Sequence, residues 1–274
     1  MHRLTHIVSL GTVSGCLNYR VTSSALSYTR MPICLPLRRS YSYRYVLMSP
    51  EPASAELFGV RLRVESDVGL AEAGRLWPLT AHLARFVAAE FPPPHGLSGL
   101  HTLELGAGTA ALSCALALAY PHAAVVATDL PVVLPLMQRN VALNGLSGRV
   151  VVAPLPWGDR NALACLFSSG TADVVLCCEC LYWGGWTLLE EDTRELLRSS
   201  LLTVCNQHTR CVLGFTVRDA GRELGFVRRL VEQDGFHARC VCCSGLRWAR
   251  VLTPASALRR IARYGRRQSR TTLF

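Results

Sequence analysis

From residue 97 onward, short apolar runs alternate with longer stretches whose apolar positions recur every three or four residues. This alternation predicts strands and helices in turn, hence an α/β domain. LHTLELG (100–106) and AAVVATDL (123–130) read as strands flanking a helix over TAALSCALALAY, which Pro121 stops. PVVLPLMQRNVALNG reads as a second helix, with Pro131 in its first turn and Gly145 at its end. RVVVAPLPW is a third strand and ADVVLCCEC (172–180) a fourth. In TLLEEDTRELLRSSLLTVC, Thr187 and Glu190 stand at capping-box spacing, so a helix follows the Trp-rich loop. RCVLGFTV, a helix ending at Gly235, FHARCVCC and RWARVLTP complete about seven strands, the last two joined by the turn SGL.

Half of the 274 residues are hydrophobic, enough for a substantial core, and no run of apolar residues is long enough to span a membrane. The net charge of +10 would suggest nucleic acid if it were spread over the fold, but it is concentrated at the ends. Residues 1–50 and 256–274 each hold six arginines and no acid, whereas 51–255 hold 17 arginines against 19 acids. Nucleic acid is therefore expected only at the tails. The chain contains no lysine. The expected organisation is a basic, disordered leader or transit peptide over 1–50, a catalytic domain over 51–255 and a basic tail over 256–274. The acid-free, Arg- and Ser-rich composition of the leader matches a mitochondrial transit peptide, and Met48 is an alternative start.

Three places carry chemistry, each at the carboxyl end of a predicted strand, where open α/β sheets bind ligands. In ELGAGTAAL (104–112), Gly106 and Gly108 with Ala107 between them allow a tight turn and close approach to a ligand, and the following helix directs free amides toward it. Asp129 follows about twenty residues later, placed to accept bonds from ribose hydroxyls. Both features suit either a nicotinamide dinucleotide or S-adenosylmethionine. Glu104 is read as touching the cofactor directly or through water, against the alternative of holding loop amides. The third place is Glu179, an acid ending an apolar strand.

The stretches GRLWPLTAHLARFV, LELGAGTAAL, TDLPVVLPLMQRNVALNG, PLPWGD, DVVLCCECLYW and FTVRDAGRELGFVRRLVEQDGFHARCV resemble, in order and spacing, the seven-strand methyltransferases of the lysine-methyltransferase-like group, methyltransferase family 16. The resemblance runs from about Gly69 to Thr253, with Asn140, Asn144, Trp77 and Trp157 among its distinctive positions. It implies a Rossmann-like seven-stranded, mostly parallel sheet with helices on both faces and an antiparallel C-terminal hairpin. It implies S-adenosylmethionine as cofactor, with Gly106, Ala107 and Gly108 against its methionine portion and ribose, Asp129 on the ribose hydroxyls, Trp157 and Trp77 bordering it, and the Cys178 backbone alongside. An aromatic wall suits a planar adenine, and π faces suit a sulfonium.

Where the family has Asp-x-x-Tyr after this strand, the chain has Glu179 and Tyr182, one methylene longer in the acid. Transfer of a methyl group to an amine is an in-line displacement that needs a neutral, well-placed nucleophile. A lysine, with a reference pKa near ~10.4, must first lose its proton. A rim carboxylate at Glu179 would attract the ammonium, and Tyr182 would orient the amine. Ala110 stands where the family often has a third glycine. The expected function is S-adenosylmethionine-dependent methylation of protein lysine; the alternatives are a small-amine or RNA methyltransferase, or a non-catalytic cofactor-binding regulatory protein. A monomer in the cytoplasm is expected.

Cys177 with Cys180 and Cys240 with Cys243 form two CxxC pairs. The 59 residues between them exceed the ~15–20 of paired zinc knuckles, and residues three apart on a strand face opposite sides. No metal is expected, and the twelve cysteines read as reduced, buried thiols.

Overall fold

The computed structural model describes residues 5–10, 52–167, 170–181, 193–218 and 220–242. Tyr182, the tryptophans at 183 and 186, the capping pair Thr187 and Glu190, Cys243, the run 247–254 and the tail 256–274 lie outside the described residues.

In chain order the elements are β1 (Thr5–Leu10), β2 (Ala53–Leu57), β3 (Val60–Val64), α1 (Leu79–Glu90), β4 (His101–Leu105), α2 (Ala111–Ala119), β5 (Ala124–Asp129), α3 (Leu134–Leu143), β6 (Val150–Pro154), α4 (Arg160–Leu166), β7 (Val174–Cys178), α5 (Thr193–Val204), β8 (Arg210–Thr216), α6 (Ala220–Glu232) and β9 (Ala238–Cys242). The main sheet has the order β6-β5-β4-β7-β8-β1-β9, and β2 and β3 form a separate hairpin. The five strands from β6 to β8 are parallel, while β1 is antiparallel to both β8 and β9. The sheet is thus the mostly parallel α/β architecture expected. Among the described residues no helix is long and apolar enough to cross a membrane.

The antiparallel strand differs in origin from the expectation. Residues 5–10 were to belong to an unstructured leader, yet they fill the position between β8 and β9 that the C-terminal hairpin would have supplied. THIVSL carries the β-branched residues that fit a strand, and its backbone pairs on both sides, with β8 and with β9.

Strand parity divides the core. Leu103 and Leu105 of β4 pack with α4, α5 and α6 residues such as Leu163, Leu197 and Phe226, while the opposite face packs α1, α2 and α3 through Leu83, Leu112 and Met137. Glu104, between the two leucines, therefore points toward the α2 side. At the α4 N-terminus, Asp159 Oδ1 accepts the Ala162 amide at 2.9 Å.

Candidate active site

β4 delivers the glycine loop at the carboxyl end of the sheet. Gly106 and Gly108 both have left-handed backbones, with φ of 66° and 54°. A Cβ on Gly106 would stand 3.0 Å from Cys180 Sγ and 3.1 Å from Trp157 Cζ2, and one on Gly108 would stand 2.9 Å from the Ala73 carbonyl oxygen. The loop is thus threaded between β7, the β6 end and the segment before α1, and only glycine fits at either position. Ala110, where the resemblance implies a third glycine, has a φ of 56°, so an L-residue there costs about 1–2 kcal/mol whatever the helix spacing.

The loop opens into a cavity of about 220 Å³. Every described candidate lines it: Trp77, Glu104, Gly106, Ala107, Gly108, Asp129, Trp157, Cys178 and Glu179. At the end of β5, the Asp129 carboxylate accepts the Gly108 amide through Oδ2 and the Leu130 amide through Oδ1, each at 2.7 Å. Burial pushes its pKa up, and these two amides partly oppose the shift. A carboxylate offers about four acceptor sites, so sites remain for hydroxyl donors.

Glu104 is buried and accepts both the amide and the hydroxyl of Ser113, in the first turn of α2. It therefore fastens the helix start to β4 while its side lines the cavity. Burial pushes its pKa up to about 7, with the Ser113 bonds opposing and the Asp129 charge adding. The folded acid holds a proton that the unfolded acid, at 4.5, releases. Its contribution to stability is therefore complete below about pH 4.5 and lost as pH rises through 7. Between pH 5 and 8 the wild type should lose about 2 kcal/mol relative to Glu104→Gln. Parallel thermal unfolding of the two proteins across that range measures this, and equal pH slopes would contradict it.

One wall was not anticipated. Glu72, Ala73, Arg75 and Leu76, from the loop before α1, also line the cavity. Asn140 and Asn144 hold this segment in place by acting as extra backbone. Asn140 Oδ1 accepts the Glu65 amide at 2.7 Å, and its Nδ2 donates to the Glu65 and Thr109 carbonyls at 3.0 Å. Asn144 brackets the Arg63 amide and carbonyl in the same way. The asparagines therefore position a wall of the site from α3 without lining the cavity themselves. Trp77 Nε1 donates to the Glu72 carbonyl at 3.0 Å, which fixes its ring at the mouth.

Glu179 sits just past β7 with φ of 57°, a left-handed backbone for a residue that is not glycine. The rim carboxylate expected from sequence is instead buried and paired: its side chain is 4% exposed. Oε1 accepts the Thr216 hydroxyl, and Oε2 accepts the Thr216 amide at 3.3 Å and Arg218 Nη2 at 2.9 Å. A buried charge requires such partners, and the end of β8 supplies them. Tyr182 lies outside the described residues.

The thiols occupy several environments. Cys114, Cys177, Cys180, Cys205 and Cys211 are buried and free, and Cys178 is half-buried with Sγ 3.6 Å from Thr80 Oγ1. Cys165 is exposed, so the expectation that all the cysteines are buried fails there, on the short outer helix α4. β7 and β9 are three strand spacings apart, roughly 14 Å, which separates the two CxxC stretches. Among the described residues no group of three or more His, Cys, Asp or Glu gathers around a metal-sized space.

The sequence model of the lysine methyltransferase family matches residues 58–233, more than half of the chain. No curated protein matches. Among solved structures, the T. thermophilus 16S rRNA N2 G1207 methyltransferase, in complex with AdoMet and guanosine, is 21% identical at a TM-score of 0.45, covering 57% of this chain and 39% of its own. The precorrin-6y C5,15-methyltransferase of Geobacter metallireducens is 14% identical at 0.41, over 58% and 74%. An O-methyltransferase family 2 protein of Planctomyces limnophilus, in complex with apigenin, is 21% identical at 0.39, over 53% and 41%. The chain thus spans less than half the length of the first and third of these proteins. With a parallel sheet, a glycine loop at the carboxyl end of β4 and an acid ending β5, the chain belongs to the lysine methyltransferase family, whose cofactor is S-adenosylmethionine.

Proposed function

We propose that this protein transfers a methyl group from S-adenosylmethionine to a lysine side chain of another protein. The observation that carries the reading is the convergence on one cavity of the glycine loop, Asp129, Trp157 and the acid-bearing end of β7, within a chain of this family. The cavity suits the cofactor: a Cβ at Gly106 or Gly108 would clash with the loop's neighbours, and Asp129 retains acceptor capacity for a ribose. S-adenosylmethionine, when bound, supplies an electrophilic methyl group on a sulfonium.

The residues of the chain perform the remaining tasks. Asp129 would hold the ribose hydroxyls, the Gly106–Gly108 backbone would approach the methionine portion, and Trp157 and Trp77 would border the cofactor. The Cys178 backbone would run alongside. Glu179 fixes the strand end from which Tyr182, three residues on, would orient the amine. The amine's lone pair would form the new bond to the methyl carbon as that carbon's bond to sulfur breaks and a neutral thioether leaves, and the surplus proton on nitrogen would pass to water.

The cytoplasm is the proposed compartment. Free thiols at Cys114, Cys165, Cys177, Cys178, Cys180, Cys205 and Cys211 suit a reducing environment, and a strand at residues 5–10 makes removal of the first 47 residues a structural loss. Incubating the full chain with methyl-labelled S-adenosylmethionine and cell lysate, then treating portions with protease and with nuclease, tests the reading. Label released by protease and resistant to nuclease is expected. Nuclease-sensitive label, or label in small molecules alone, would overturn it.

A further inference from the structure

The electrostatic partner of Glu179 bears on how an amine is received. Arg218 donates to Glu179 at 2.9 Å and to the Thr216 carbonyl at 3.3 Å, and only a quarter of its side-chain surface is exposed. Its guanidinium also lies 5.9 Å from the centroid of Trp77, which lines the cavity beside Glu179. One cation thereby ties the β8 end to the β7 end and to the aromatic wall. It also cancels the charge of the acid nearest the expected amine.

That cancellation matters chemically. An uncompensated carboxylate a few ångströms from an amine stabilises the ammonium, the form with no lone pair to attack with; a compensated one does not. We propose that Arg218 is a positioning residue for methyl transfer: by neutralising Glu179 and bracing Trp77, it keeps the target end of the cavity free of net charge, so that lysine is held there as the neutral amine. This rests on the lysine reading above.

Among the described residues, the other ionisable groups around the cavity leave this balance in place. From the loop before α1, Glu72 and Arg75 face each other at 3.8 Å. From β4 and β5, Glu104 and Asp129 are engaged by Ser113 and by the Gly108 and Leu130 amides. β7 adds the Cys178 and Cys180 thiols, and Thr193 and Leu196 of α5 bring no charge.

The test uses two single substitutions that push in opposite directions. Methyl incorporation into protein lysine is measured from pH 7 to 10 at saturating labelled S-adenosylmethionine, for the wild type, Arg218→Met, Glu179→Gln and the double variant. Calorimetric binding of S-adenosylmethionine is run beside it to confirm folding. In Arg218→Met the unpaired Glu179 should favour the ammonium and move the pH profile up by about one unit. In Glu179→Gln the unpaired Arg218 should disfavour the ammonium and move it down by about one unit. The double variant should return the profile to its wild-type position even if the rate stays low. Should Arg218→Met fail to bind the cofactor, the downward shift in Glu179→Gln and the restored double variant carry the test. A purely structural pair would lower the rate equally at every pH; that result, or shifts of the same sign in both single variants, would overturn the inference while leaving lysine methylation intact. Absence of label from lysine in the wild type would overturn both.

Discussion

At its own pH optimum, Glu179→Gln should bind S-adenosylmethionine as the wild type does and turn over roughly 100-fold more slowly, or worse. The amide keeps the size of the acid and an acceptor for Thr216 but removes the charge that holds Arg218. The strand end at φ of 57° then loses the Arg218 bond, one of those that offset its strain. A displacement of about an ångström at the reacting amine is enough for a loss of ~100-fold. Glu179→Asp sharpens the point. Aspartate is the family's usual residue and tolerates a left-handed backbone better, but here it must span to Thr216 and Arg218 with one methylene fewer. It should impair turnover. Steady-state turnover beside calorimetric cofactor affinity measures both variants, and parental rates in both would reduce Glu179 to a strand-end acid.

Asp129→Ala should act on the other half of the site, weakening S-adenosylmethionine binding by roughly 1.5–3 kcal/mol, or about 10- to 150-fold in Kd. Two effects combine. The ribose would lose a charge-assisted acceptor, and the Gly108 and Leu130 amides would lose their 2.7 Å partners, loosening the glycine loop. Asp129→Asn keeps one side-chain oxygen for an amide and should lose less. Titration calorimetry gives all three affinities, and an alanine variant that binds as tightly as the wild type would remove Asp129 from the site.

The central parallel strands were legible because they are buried on both faces, and β7 and β8 read as dense apolar runs, VVLCC and RCVLGFT; the edge strand β6, with Val151 exposed, was legible from its run of valines. The glycine loop and Asp129 were legible because their chemistry depends on local spacing. The β2–β3 hairpin was missed although ASAEL and VRLRV alternate around a two-residue turn at Phe58 and Gly59, both with positive φ. α4 was missed because it is short and buries only Leu163, although Asp159 three residues before Ala162 is a cap signal. Residues 5–10 could not be placed, since their strand exists only through pairing with segments about two hundred residues away. The same holds for the Glu179 site: nothing local to ADVVLCCEC announces that Thr216 and Arg218 will bury and neutralise its acid. Asn140 and Asn144 were visible as distinctive positions, but their task, holding a wall of the cavity through backbone-like bonds, required the fold.

The amino acid that carries the transferred methyl group tests lysine methylation most directly. Labelled protein from the methyl-transfer reaction is hydrolysed in acid and its amino acids are separated. The label is expected to elute as Nε-methylated lysine, and Asp129→Ala and Glu179→Gln should each diminish it. Label eluting with any other amino acid, or no label transferred by a protein that binds S-adenosylmethionine, would contradict it.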